Sequence, residues 1–206
     1  MLVKICGILR PEDAAAAAAA GADMLGVIFA PAWRQRTVAE AQRIFDAAPT
    51  GPERVGVFVD APLTEVEEVA SACNLDRIQL GGSEDPEYCA ALGPRAVKTL
   101  RLPRDAAIVA DYDVTLFHFD TAHDTRAGGT GESWDYATAR SLAREHPVLL
   151  AGGLTPANVA TAIAAARPLG VDVASGVETD RVKDPDKLEA FVQRARAAFA
   201  AQEEAA

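Results

Sequence analysis

Short apolar runs alternate with longer segments of helical character along the whole chain. The apolar runs predict eight β-strands, at 3–6, 24–29, 54–59, 76–80, 96–100, 114–120, 147–151 and 171–174. Each run is followed by a segment of helix-forming composition, and this helical signal is weak only over 104–110. Eight strand–helix units of roughly 26 residues each predict a single-domain α/β protein, a (βα)8 TIM barrel.

The predicted helices set the limits of this domain. They cover 11–20, 38–48, 62–73, 85–92, 134–144, 156–166 and 185–200, and Thr155 is expected to cap the helix that begins at Pro156. The barrel is therefore expected to occupy residues 1–200, with a frayed tail at 201–206. A doubly wound open sheet is the alternative fold. It gives no reason for eight evenly spaced units, and the chain has no early Gly-x-Gly-x-x-Gly motif.

Composition narrows the range of partners. The chain has 206 residues, of which 50% are hydrophobic, so one full core is available. A net charge of −10 argues against nucleic acid and anionic membranes as partners. No segment approaches the length of a membrane span, and the N-terminus lacks the apolar region of a secretory signal. Cys6, Cys73 and Cys89 lack metal-ligand spacing and fit free thiols, so we expect a cytoplasmic protein.

A thiol and a carboxylate end two of the predicted strands. Cys6 closes the first apolar run, and Asp120 closes the sixth. Because the carboxyl ends of barrel strands converge on the face where active sites lie, these side chains are predicted to form an acid/base pair. Taken singly, Cys6 also fits a small buried apolar residue, and Asp120 also fits a capping carboxylate.

Glycines follow the last two predicted strands. Gly152 and Gly153 come directly after the seventh strand, and Ser175 and Gly176 come after the eighth. Glycine lets backbone N–H groups approach an anion closely, and the loops after strands seven and eight of a barrel often hold phosphate. Tight turns would use the same glycines. Their presence after both strands favours a phosphate site.

An ordered series of motifs resembles the phosphoribosylanthranilate isomerase family. The motifs run in family order over nearly the whole chain. They are Val3-Lys4-Ile5-Cys6-Gly7-Ile8, Gly21 to Gly26, Val55 to Phe58, Gly128-Gly129-Thr130-Gly131, Trp134-Asp135, Leu150 to Leu154 with Pro156 and Asn158, Gly170 to Glu178, and Lys183-Asp184.

The resemblance implies an Amadori rearrangement in tryptophan biosynthesis. The family converts N-(5-phosphoribosyl)anthranilate to its 1-deoxyribulose isomer without a cofactor or a metal. By resemblance, Asp120 is the general acid that protonates the ribose ring oxygen, and Cys6 is the general base that takes the C2′ proton. These roles need a protonated carboxyl and a thiolate, so we expect a dry pocket to raise the first pKa and nearby cations to lower the second.

Further residues are expected to contact the substrate. By resemblance, Arg36 pairs with the anthranilate carboxylate, although a solvated loop arginine is the alternative. The other substrate contacts are expected at Lys4, Gln79, Gly128 and Gly129. The polar loop over 121–133 is expected to close as a lid, or else to be an ordinary exposed loop.

The chain departs from the family pattern at two places. Gly81-Gly82 follows the fourth strand where the family has His-Gly, and Arg34-Gln35 precedes Arg36 where the family has Ser-Pro. Neither change touches the expected acid or base. We therefore expect the chemistry to persist with weaker substrate binding.

Lys4 is expected to need a buried counter-charge. It lies two residues before Cys6, so strand alternation points both side chains into the barrel. Asp172 on the eighth strand, which neighbours the first when the barrel closes, is the predicted partner. This ion pair would fix the register at the closure and favour the thiolate.

Two other functions are possible for a phosphate-binding barrel. Another phosphate-binding barrel isomerase or epimerase would favour an aspartate or a metal cluster at the strand ends in place of Cys6. A non-catalytic barrel that binds a phosphorylated metabolite would not need both Cys6 and Asp120. The pattern leaves open whether the protein is a monomer or a homodimer.

Overall fold

Eight parallel strands close into a barrel in sequence order. The structure, a computed structural model, describes residues 1–48, 51–120 and 136–204. The strands are β1 Leu2–Cys6, β2 Met24–Ile28, β3 Glu53–Phe58, β4 Arg77–Leu80, β5 Ala96–Arg101, β6 Leu116–Asp120, β7 Val148–Ala151 and β8 Gly170–Val173. The predicted (βα)8 barrel is therefore confirmed, and the open-sheet alternative is wrong.

Helices cover the outside of the barrel. They are α1 Pro11–Ala19, α2 Val38–Asp46, α3 Leu63–Cys73, α4 Pro86–Leu92, α5 Tyr136–Ala143, α6 Val159–Ala166 and α7 Pro185–Glu204. A short antiparallel hairpin, β9 Glu178–Thr179 with β10 Val182–Lys183, follows β8. None of the helices in the described ranges combines the length and the apolarity needed to cross a bilayer.

Three helix predictions differ from the structure. The weak signal after β5 corresponds to a 3-10 helix, Ala106–Asp111. Thr155 is not an N-cap, and α6 begins only at Val159. The Asn158 side chain accepts a hydrogen bond from the Thr155 N–H and donates to the Gly153 carbonyl, so these residues form a turn. The last helix continues to Glu204 beyond its predicted end at Ala200, since alanine, glutamine and glutamate all sustain a helix.

The barrel interior is layered along the strands. An apolar layer lies near the strand starts and consists of Met24, Val55, Val97, Leu116 and Leu149. Above it lie buried polar side chains, which are Lys4, Gln79, His118 and Asp172. Cys6 and Asp120 are each two residues further along their strands, at the carboxyl end, because alternate residues share the inner face. A polar layer therefore supports the end of the barrel where the two candidate catalytic groups lie.

A buried ion pair shapes the rim next to β4. Lys98 Nζ lies 2.8 Å from Glu84 Oε2, and the two side chains are each 2% exposed. Glu84 also accepts hydrogen bonds from the backbone N–H groups of Gly82 and Asp60. The loops after β3 and β4 are thus held together on one carboxylate, which fixes this part of the rim.

Candidate active site

A cavity of about 330 Å³ opens at the carboxyl ends of the strands, which is within the range of ligand-binding pockets. Cys6 and Asp120 both line it, although they are far apart in sequence. The lining also includes Gln79, His118, Gly152, Gly153, Asp172, Ser175 and Gly176. The predicted thiol, carboxylate and glycine loops therefore surround one space.

Cys6 is set into this cavity by its neighbour on β2. Gly26 is the partner of Cys6 in the β1–β2 register, and a Cβ at position 26 would lie 2.9 Å from Cys6 Sγ. Glycine therefore leaves the space that the thiol occupies. Burial raises the pKa of Cys6, and the Lys4 and Lys183 ammonium groups offset only part of that effect. The expectation that cations lower this pKa below its usual value is wrong, because desolvation outweighs them.

The predicted ion pair between Lys4 and Asp172 is present. The two residues are partners in the β1–β8 register, and Lys4 Nζ lies 3.1 Å from Asp172 Oδ2. Burial alone would raise the pKa of Asp172, but the Lys4 charge and a hydrogen bond with His118 outweigh it and lower the pKa to about 2. Likewise, burial would lower the pKa of Lys4, but Asp172 and Cys6 raise it. Both partners are charged at neutral pH.

His118 is a site residue that the sequence analysis missed. Its Nε2 lies 2.8 Å from Asp172 Oδ2, the oxygen that also meets Lys4. The signal was available, because His118 lies two residues before Asp120 and therefore shares its inward face. A polar side chain at an inward position of a barrel strand indicates a partner inside the barrel.

The loops after β7 and β8 present backbone to the cavity. Gly152 and Gly153 have φ of 93° and 63°, a region that favours glycine. Gly176 lies in a 3-10 turn, Ser175–Val177, directly against the Leu154 carbonyl. A Cβ at Gly176 would collide with that carbonyl oxygen. The two loops therefore pack together only because position 176 has no side chain.

Gly176→Ala is expected to raise KM for a phosphorylated substrate by about tenfold or more, because the β8 loop must move away from the β7 loop. Steady-state kinetics on a variant with a normal far-UV spectrum will measure the change. A KM within twofold of the parent would contradict a phosphate role for this pair of loops.

Most of the chain matches the model of a known protein family. The family model for N-(5′-phosphoribosyl)anthranilate isomerase matches residues 3–194. The N-(5′-phosphoribosyl)anthranilate isomerase of Desulforudis audaxviator is 42% identical, over 96% of this chain and 99% of that protein. The chain belongs to the N-(5′-phosphoribosyl)anthranilate isomerase family. The resemblance seen in the sequence motifs is thereby confirmed.

Solved structures of the N-(5′-phosphoribosyl)anthranilate isomerase family agree in fold. The enzyme from Thermus thermophilus has 38% identity and a TM-score of 0.82, and the match covers 96% of this chain and 99% of that one. A second isomerase was solved in complex with reduced 1-(o-carboxyphenylamino)-1-deoxyribulose 5-phosphate. It has 31% identity and a TM-score of 0.82, with 96% of this chain and 100% of that one covered.

Arg36, the family's expected carboxylate ligand, lies in the loop after β2. Its Nε donates to the Leu9 carbonyl at 3.1 Å, and its backbone N–H donates to the Ile28 carbonyl at 2.8 Å. Ile28 lines the cavity, but Arg36 is not among the lining residues. Carbonyl groups therefore hold Arg36 at the rim, where it is half-buried.

Arg34, one of the two departures from the family pattern, connects two loops of the rim. Its Nη2 lies 2.8 Å from Glu178 Oε2, and its guanidinium stacks on Trp33 at 4.1 Å. Glu178 also pairs with Lys183 at 2.9 Å, and Lys183 donates to the Ala174 carbonyl. The arginine thus links the loop after β2 to the hairpin after β8.

The second departure, Gly81, leaves open space at the end of β4. A Cβ built there would meet Val59 Cγ2 at 3.4 Å and the Phe58 carbonyl oxygen at 3.5 Å, which are ordinary contacts. Arg101 Nη2 lies 3.4 Å from the Gly81 carbonyl oxygen. The expected substrate contacts Gly128 and Gly129, and the proposed lid over 121–133, lie outside the described residues.

Proposed function

We propose that this protein catalyses the Amadori rearrangement of N-(5-phosphoribosyl)anthranilate to 1-(2-carboxyphenylamino)-1-deoxyribulose 5-phosphate. The reaction is a step of tryptophan biosynthesis, and we propose that it takes place in the cytoplasm. The observation that carries the proposal is the shared cavity, which has Cys6, Asp120 and the loops after β7 and β8 in its wall. Family membership supports the substrate. The rearrangement is internal to the substrate, since C2′ is oxidised as C1′ is reduced, so it consumes no external oxidant or reductant.

In this proposal, Asp120 starts the reaction as the general acid. Asp120 donates a proton to the ribose ring oxygen, and the C1′–O bond breaks as nitrogen supplies its lone pair. The product of this step is an open-chain iminium ion. Cys6 then removes the C2′ proton as a thiolate, and the C–H electron pair forms the enolamine, which tautomerises to the ketone. The acid and the base belong to different strands, β6 and β1, so they can serve different atoms of one substrate.

The same proposal assigns substrate binding to the remaining wall and rim. Backbone N–H groups at Gly152, Gly153, Ser175 and Gly176 would hold the phosphate. Arg36 would pair with the anthranilate carboxylate at the rim. Gln79 Oε1 is buried and has no hydrogen-bond partner among the described residues, so it is available to accept from a substrate hydroxyl. Lys4 would contribute to substrate binding from its position beneath Cys6. Gly128 and Gly129 are proposed to contact the substrate from their loop.

The fluorescence of the anthranilate group provides the direct test. When purified protein is mixed with N-(5-phosphoribosyl)anthranilate, the fluorescence of the substrate is expected to decrease as the substrate is converted. The deoxyribulose product is then identified by mass spectrometry. The Cys6→Ala/Asp120→Asn double variant is the control for background decomposition. Consumption at the rate of that control, by a folded protein, would overturn the proposed function. Turnover of a phosphorylated aminoketose with no turnover of the anthranilate compound would favour the other barrel isomerases.

Gly81→His is expected to lower KM by about tenfold while kcat changes little, because a ring at the rim adds one substrate contact worth about 1–2 kcal/mol. The structure allows this substitution, since a Cβ at Gly81 meets only ordinary contacts. Kinetics must be paired with a melting curve. A stable variant with an unchanged or higher KM would mean that the site already compensates, and the nearby Arg101 guanidinium would be the first group to examine.

A further inference from the structure

His118 has no place in the acid/base steps, yet it is buried beneath them. It lines the cavity together with Cys6, Asp120 and Asp172. It lies on β6, and its imidazole contacts Asp172 on β8, across the inside of the barrel. A buried histidine at this position needs an explanation beyond packing, because every polar group there costs free energy unless it is paired.

One oxygen atom joins His118 to Lys4. Asp172 Oδ2 lies 2.8 Å from His118 Nε2 and 3.1 Å from Lys4 Nζ. With a pKa of about 2, Asp172 is a carboxylate at neutral pH and can only accept hydrogen bonds. His118 Nε2 must therefore carry a proton and donate it to Asp172. This fixes the tautomer and the orientation of the imidazole ring.

Lys4 acts on both Asp172 and the Cys6 thiol. A Cβ built at Gly26 would lie 2.9 Å from Cys6 Sγ and 3.2 Å from Lys4 Nζ, so the ammonium borders the thiol as well as the Asp172 carboxylate with which it pairs. The Asp172 charge disfavours a Cys6 thiolate, whereas the Lys4 charge favours it. A second hydrogen-bond donor to Asp172 Oδ2 therefore stabilises part of the carboxylate charge, and the Lys4 ammonium is held less strongly by Asp172. His118 is that donor.

We propose that His118 is a positioning residue that holds Asp172 and thereby directs the Lys4 ammonium to Cys6. The inference rests on the proposed role of Cys6 as the base, but it concerns the thiol itself. The charged and titratable groups that face Cys6 are Lys4 on its own strand, His118 and Asp120 on β6, Asp172 on β8 and Lys183 on the following hairpin. Among the described residues, Lys4 and His118 bond to the Asp172 carboxylate, and of these two Lys4 alone acts directly on the pKa of Cys6, so removal of His118 isolates the indirect effect.

The test measures thiol reactivity without any substrate. Iodoacetamide alkylates a thiolate by displacement of iodide, so the pH dependence of Cys6 modification reports its thiolate fraction. Peptide mass spectrometry separates Cys6 from Cys73 and Cys89, which are both 1% exposed. In His118→Leu, the midpoint of Cys6 alkylation is expected to rise by about one pH unit. His118→Gln retains an N–H donor, so its midpoint is expected to stay close to that of the parent protein.

His146→Leu is the matched control, because His146 packs edge-on against Phe117, away from the cavity. It should leave the alkylation profile unchanged. An unchanged midpoint in folded His118→Leu would overturn the proposal, and so would a shift in His118→Gln as large as that in His118→Leu. If His118→Leu does not fold, the proposal is judged on His118→Asn, which also removes the donor from its present position. Isomerase activity is measured in a separate assay. A protein that shows the altered alkylation profile but has no isomerase activity would reject the proposed function and support the role of His118.

Discussion

Cys6→Ala and Asp120→Asn are each expected to lower kcat by about 10²–10⁴, because each removes a proposed proton-transfer group while leaving the cavity in place. Both side chains line the cavity, and neither substitution leaves a large void. Stopped assays with high enzyme concentration will be needed to measure the residual rate. Under the proposed function, binding of reduced 1-(o-carboxyphenylamino)-1-deoxyribulose 5-phosphate should be largely retained, since the loops after β7 and β8, which are proposed to hold its phosphate, are untouched.

Cys73→Ala is the matched control for the thiol substitution. Cys73 ends α3 and is buried outside the barrel, where it packs in the core between helices and strands. Its truncation should lower stability slightly and leave kcat unchanged. Either catalytic variant retaining more than about half of the parent kcat would remove that residue from the mechanism.

Lys4→Met is expected to destabilise the protein by about 3–5 kcal/mol, because it leaves the Asp172 carboxylate buried without its cation. The melting temperature should fall by about 10 °C, as measured by calorimetry. Arg104→Met is the control, since Arg104 forms an ion pair with Asp105 at the surface and its side chain is 67% exposed. That pair is expected to contribute at most about 1 kcal/mol.

The pH dependence of this effect has a definite sign. The folded-state pKa of Asp172 is about 2, below the ordinary value of 3.8. Its contribution to stability is therefore complete above pH 3.8 and is lost as the pH falls through about 2. Without Lys4 the carboxyl pKa rises, so acidification relieves the buried charge in the variant. The difference in melting temperature should be smaller at pH 4 than at pH 7, and an equal or larger difference would contradict the account.

Period-two alternation along the strands carried most of the information about the site. The ends of the apolar runs placed Cys6 and Asp120 at strand ends, and alternation together with barrel closure then predicted that Lys4 faces Asp172. These inferences succeed because convergence of parallel strands is a property of the fold and does not depend on individual side-chain conformations. The two glycine loops that line the cavity could be located for the same reason, since both follow strand ends; their binding of phosphate stays a prediction.

Contacts that depend on particular side-chain conformations could not be predicted from the sequence. Arg34 and its partner Glu178 are separated by 144 residues, and nothing in either local pattern pairs them. The direction of the Cys6 pKa shift also required the structure, because it is the balance of burial against two ammonium groups. The turn that delays α6 to Val159 depends on where the Asn158 amide finds a carbonyl.

The ion pair between β1 and β8 imposes an order on folding during protein synthesis. Lys4 is made 168 residues before Asp172, so a growing chain carries an ammonium with no carboxylate to bury it against. Until the eighth strand leaves the ribosome, the first strand must keep that charge in water and cannot settle into a closed interior. Before β8 is made, the early units can form helices and pair neighbouring strands, but β1 cannot yet pair with β8. The unpaired ammonium on β1 therefore disfavours burial of the inner face of that strand until β8 has been made.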